Sequence, residues 1–469
     1  MTKATQKKLA AGAAAIAIAI IISFITPPDE LTTAAMRYLG IFIAMIIFMI
    51  FDVLPAHMTM LCTLVAMIMF KVCTEAEALS NYAQSTVWFV VCVLGFAAAI
   101  TQSGLLKRLA FAILKFFPET YQGQILALTV TSTVLTPWIP SGQAKGAILV
   151  PLAMTMGTEM GYEEHSKPLS GLFSAVYCPA MVGGAAFVTG SVAYSLICGY
   201  FDKEYDWLGF FQVTVVWFIA FIILMYLFIN AYYRPKDTLA EKGKTKSGNT
   251  KIAVQKLAEL GPMTKKEIVT AVTLVAAVIL WVTQSIHGVS TFCVAVLALT
   301  VMCIFGLFDT RDFIMKIAWP TIVIMGATFT LSAQLSILGI GNWLSSVLSP
   351  FAGPLMANKF VFFVVLCVLV YALRYLIISQ TAICAICFAL FGSMAVNAGI
   401  SLVAVMFVVY VATSTWNLSF NNSGYLAAEA AASGKIVHKD VVSCNYGFCV
   451  IHIVCTLISV IYWSAIGLC

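Results

Sequence analysis

Two short polar clusters carry the residues with most chemical potential in this chain. The first is Ser141-Gly142-Gln143, followed by Lys145. The second is Ser379-Gln380-Thr381. Each interrupts a long apolar stretch, and each is followed by another apolar helical run. Hydroxyls and amides at the start of a helix suit anion binding, because helix N-termini present free N–H groups and a partial positive charge. The carbonyls freed on the preceding arm can hold a cation. Lys145 adds a formal charge near mid-membrane, where charge is costly and rarely idle. It could pair with an anionic substrate, stand in for a coupling cation, or snorkel to water. Arg374, shortly before the second cluster, could be a counter-charge or an interfacial anchor.

Two further polar interruptions follow. One is Thr189-Gly190-Ser191, preceded by Gly183-Gly184; the other runs from Trp416 to Gly424 and contains Asn421 and Asn422. Adjacent Asn in an apolar span are costly unless hydrogen-bonded or coordinating. Either they line the site or they bond between helices. His57, His165, His287, His438 and His452 show no metal-ligand spacing with Glu, and no nucleotide-binding loop occurs. No metal site, cofactor or enzymatic activity is expected.

The elements that must position these residues follow from composition. The chain has 469 residues, 61% hydrophobic and 10% charged, far from the roughly 25% charge of soluble domains. Several apolar runs exceed about 18 residues, and strands of alternating polarity are absent. This predicts an all-α polytopic membrane protein. The net charge of +6 suggests no nucleic-acid partner, since it falls in loops between spans. The Cys residues lie mostly in apolar spans, and Cys384 and Cys387 read as apolar filler.

Spans are expected at about 9–26, 35–54, 57–72, 86–104, 168–200 and 208–232, then at 266–286, 289–307, 317–335, 402–430 and 441–466. Segments 121–160 and 357–398 are broken near their middles, which favours re-entrant hairpins tipped by Ser141–Gln143 and Ser379–Thr381. An amphipathic stretch at 105–117 and another segment at 340–351 precede them. The plan is a leading helix at 1–34, a first repeat at 35–233, a linker at 234–265 and a second repeat at 266–469. Five crossings per repeat make the second inverted, giving eleven crossings in total. With the N-terminus cytoplasmic and the C-terminus outside, the basic residues fall inside except Arg37, Lys71, Lys145, Lys203, Lys359 and Arg374. A bacterial inner (plasma) membrane is the expected location.

In layout and motifs the chain resembles the divalent anion/sodium symporter (DASS) family, whose members carry a Ser-Asn-Thr motif at the tip of each of two hairpins. Pro140-Ser141-Gly142-Gln143-Ala144-Lys145-Gly146-Ala147 with Pro151 is similar to the branch of citrate/succinate and oxoglutarate/malate antiporters, and Ser379-Gln380-Thr381-Ala382 resembles the second motif. The resemblance implies an elevator-type transporter, usually a homodimer, for di- or tricarboxylates or sulfate. It implies a first cation site at Ser141 and Gly190, and a second at Thr381 and the Asn421–Asn422 region, with sodium as the coupling ion where these are complete. Gly142 and Gln143 stand where the family has Asn and Thr, and Gln380 stands where it has Asn. Gly142 removes a side-chain ligand. Lys145, where the antiporters have Arg, favours exchange or another coupling over sodium symport.

The expected function is secondary active transport of a small organic dianion or trianion. Ser141, Gly142, Gln143, Lys145, Ser379, Gln380 and Thr381 would serve the substrate. Ser141, Gly190, Ser191, Thr381, Asn421 and Asn422 would serve a cation. A sulfate permease, a proton-coupled exchanger and a non-transporting anion sensor are the alternatives.

Overall fold

The computed structural model describes residues 3–28, 30–118, 120–139, 142–235 and 249–469. Among them every regular element is helical. Nine helices among the described residues are long and apolar enough to cross a membrane, and Ala56–Met69, Thr291–Ile304 and Leu402–Thr413 are shorter apolar helices. Large apolar side chains such as Ile219, Ile223, Leu227, Val450, Val454 and Ile461 are exposed, as lipid-facing surfaces require.

Polar residues at the loops set the helix starts. The Thr32, Asp206 and Ser290 side chains accept from backbone N–H groups of their helices. Thr74 with Glu77, and Thr264 with Glu267, form reciprocal capping boxes. The leading helix Lys3–Phe24 packs on Thr33–Ile50, where a Cβ on Gly40 would lie 2.6 Å from the Ala19 carbonyl oxygen. Small residues at such crossings let membrane helices approach closely.

Several helix pairs of the first half have similarly packed pairs in the second. Ser85–Ser103 packs on Thr291–Ile304, and its counterpart Trp319–Ile337 packs on Ala56–Met69. Leu105–Leu114 packs on Tyr121–Leu135, as Ile340–Met356 does on Lys359–Leu376. Gly142–Glu159 packs on Lys167–Tyr177, as Gln380–Asn397 does on Leu402–Thr413. The long helices Trp207–Tyr233 and His438–Ala465 close the arrangement against each other. There the Trp217 indole donates to His452 Nδ1 at 3.0 Å, and the Trp463 indole donates to the Val213 carbonyl at 2.7 Å.

One region differs from expectation. Within the stretch read as a linker, Asn249–Glu259 is helical and packs on Leu105–Leu114. Ala253 and Leu257 lie one helical turn apart, and Ala253 is buried. Arg108 secures the junction. Its guanidinium donates to both Glu267 carboxylate oxygens and to the carbonyls of Leu260, Gly261 and Pro262.

Candidate functional site

Both polar clusters are helix restarts. In the first hairpin, Tyr121–Leu135 runs into a tight turn at Thr136–Trp138, Ile139 is extended, and helix resumes at Gly142. Pro140 and Ser141 lie outside the described residues, as does the Gln143 side chain. In the second, Lys359–Leu376 ends at extended Ile377, and helix resumes at Gln380 with Ser379 as its cap. Ser379 Oγ accepts from the Ala382 N–H at 3.2 Å. Helix geometry leaves the Gln380 and Thr381 N–H groups without an intrahelical acceptor.

Each restart meets a break in a neighbouring helix. The first such helix changes from α at Lys167–Tyr177 to a π turn at Cys178–Val182 and a 3-10 turn at Gly183–Ala186, then resumes at Ala193–Ile197. The second ends at Thr413 and resumes at Ser423–Ala431, with Asn422 as its cap. Every residue of Leu402–Thr413 is buried, so this break is enclosed by protein rather than lipid.

Two cations buried among the described residues face these breaks. Lys145, fully buried, donates from Nζ to the Gly190 carbonyl at 2.9 Å, and among the described residues no carboxylate pairs with it. Gly184 and Gly190 approach so closely that a Cβ on Gly184 would lie 2.5 Å from the Gly190 oxygen. Arg374 is 1% exposed and donates to the carbonyls of Ile377, Ile378 and Asn421, at 3.3, 2.5 and 2.5 Å. The Asn421 side chain returns a bond to the Arg374 carbonyl at 2.7 Å.

A cavity of about 530 Å³ lies between the tips and the helix Ser85–Ser103. Gly142, Gln380, Ser191 and Asn422 line it, so the structure brings these four sequence candidates together. Lys145, Gly190, Ser379, Thr381 and Asn421 are not on its wall. Gln380 donates to the Thr413 carbonyl and hydroxyl, both at 3.2 Å. Asn422 donates to the Ser414 carbonyl at 2.9 Å. Ser191 Oγ accepts from the Ala193 N–H at 3.1 Å. A Cβ on Gly142 would lie 2.4 Å from Met181 Sδ, so a side chain there requires the Met181 side chain to shift.

The sequence reading missed several neighbours. Asn445 accepts from the Trp416 N–H at 2.8 Å and donates to the Asn417 side chain, bracing the second break. Tyr177 and Tyr410 line the cavity, as do Gln102 and Lys316. Only residue type hinted at Asn445, as a polar group within an apolar span.

One family description, the sodium:sulfate symporter transmembrane region, matches residues 6–469. The chain belongs to that family. Its relatives include Dicarboxylate transporter 2, chloroplastic, of Spinacia oleracea, 24% identical over 97% of this chain and 82% of that protein. Dicarboxylate transporter 1, chloroplastic, of Arabidopsis thaliana is 26% identical over 79% of this chain and 67% of its own. The putative malate transporter YflS of Bacillus subtilis is 26% identical, covering 71% and 70%. Among solved structures, the Alcanivorax borkumensis YdaH transporter shares the fold with a TM-score of 0.58 at 14% identity, covering 99% of both chains. The chain is thus a multi-pass membrane protein of a secondary transporter family.

Proposed function

We propose that this symporter-family chain exchanges small dicarboxylates across the membrane, using built-in cations rather than sodium. One observation carries the coupling reading: Lys145 and Arg374 occupy carbonyls at the two helix breaks, Gly190 and Asn421. Freed carbonyls at such breaks are what a coupling cation would use. A buried carbonyl already bonded to an ammonium or guanidinium has little to offer a sodium ion. The relatives named as dicarboxylate and malate transporters support the substrate class.

The substrate lies in the cavity between the tips. Its carboxylates are met by the helix starts at Gly142 and Gln380, with Ser191 and Asn422 alongside. The hairpins and broken helices move together as an elevator against Ser85–Ser103 and Trp319–Ile337. The chain crosses the membrane eleven times as a homodimer, with the N-terminus cytoplasmic. Lys316 and Gln102 then mark the cytoplasmic end of the cavity, which supports an inward-facing reading. Proteoliposomes loaded with unlabelled malate test this through uptake of labelled malate or succinate with and without sodium. Uptake that requires internal dicarboxylate and ignores sodium supports exchange, and strict sodium dependence sinks it.

A further inference from the structure

The cavity wall opposite the tips contains Leu94, Ala97, Ala98 and Thr101, spaced as one helical face. It is small and uncharged until its end, where Gln102 and Lys316 appear. Among the described lining residues, Lys316 has the one formally charged side chain. The Lys316 ammonium sits 2.7 Å from Asp312 Oδ1, and its side chain is 40% exposed. Asp312 also accepts from Gln102 Nε2 at 3.1 Å and from the Asp309 N–H at 3.3 Å. If the ammonium swings away, the carboxylate therefore keeps two donors. A lysine is suited to such a swing, being a compact charge on a flexible stem.

We propose that Lys316 is an entrance station, leaving Asp312 to capture one carboxylate of a dianion at the cavity mouth. This rests on the reading of the tips as a moving carrier. Lys316 belongs to the static side, so it acts on substrate only at the face where the cavity opens. When the tips move to the other face, the anion is carried away from it. Attraction of this kind fades over a Debye length of about 8 Å at physiological salt, which suits capture at a mouth.

The test is dicarboxylate exchange by the full chain in vesicles of known orientation, with half-saturation measured separately at each face using malate and succinate. Lys316→Gln should raise half-saturation at the Lys316 face about fivefold and leave the opposite face within about twofold. The difference should shrink in high salt. Lys316→Arg should restore most of the loss. Asp312→Asn, which releases the ammonium, should lower half-saturation at the same face. Lys107→Gln, an exposed charge outside the cavity, serves as the control for bulk surface charge. An equal shift at both faces, or none, overturns the entrance station while leaving exchange standing. If Lys316→Gln fails to insert, the Asp312→Asn arm decides, and an unchanged or raised half-saturation there overturns the idea. Absence of exchange by the unmodified chain overturns the transport reading and the station with it.

Discussion

The Lys145 ammonium and the Gly190 carbonyl oxygen lie 2.9 Å apart in a fully buried contact between the first hairpin and the neighbouring helix break. The charge is aimed at backbone, not at the cavity. It therefore acts on the shape and electrostatics of the break, and on substrate from a distance.

Removing that charge should disable the carrier without unmaking it. Lys145→Ala is expected to insert normally but lose malate counterflow at least tenfold, about 1.4 kcal/mol. Any residual uptake should become sodium-stimulated, because the Gly190 carbonyl is released. Unchanged, sodium-independent uptake would refute the role.

Gly142 should tolerate a side chain only if Met181 yields. Gly142→Ala places a Cβ 2.4 Å from Met181 Sδ, so the flexible Met181 side chain must shift and exchange should fall modestly. Gly142→Ala combined with Met181→Ala should recover much of it. A double variant as poor as the single one would show that the contact is not the reason for the glycine.

Besides filling the second break, Arg374 should hold the fold together. Its guanidinium satisfies three carbonyls across the second tip and break. Arg374→Gln should lower the Tm of the purified protein by several degrees, since each abandoned buried acceptor costs about 1–3 kcal/mol. Arg374→Lys should restore little, because an ammonium cannot span the planar fork. A Tm equal to the parent would contradict this.

Acid should destabilise through carboxylates at the polar ends. Lys316 and then Gln102 hold the Asp312 carboxyl below its usual range, and the Thr74 cap does the same for Glu77. A lowered folded-state pKa gives stability that is complete above the ordinary carboxylate range of about 4 and lost as pH falls through the folded value. Thermal unfolding should be flat from pH 7 to 5 from these groups and decline below about pH 4. The combined Glu77→Gln and Asp312→Asn variant should show a shallower acid limb. An identical limb would remove these groups from the account.

The helical class, the polar clusters and the second restart at Gln380 were legible because polar residues inside apolar runs stand out. The partners of Lys145 and Gly142 were not. Lys145 bonds a backbone carbonyl 45 residues away, and composition says nothing of carbonyls. Gly142 reads as a lost amide until Met181 is seen beside it. The helix at Asn249–Glu259 was hidden by the charge of its surroundings, although Ala253 and Leu257 carried the spacing. Lys316 looked like one more loop charge because its place beside Ser85–Ser103 depends on tertiary packing.

The Arg108 junction has a consequence for how the chain is made. Arg108 and Glu267 are separated by 159 residues. At about 5–20 residues per second, the ribosome delivers the acceptor roughly eight to thirty seconds after the donor. During that interval the newly inserted first half holds a cation whose five acceptor contacts do not yet exist. Fragments ending before residue 260 never complete that clasp, and their Arg108 must find water or lipid phosphate instead.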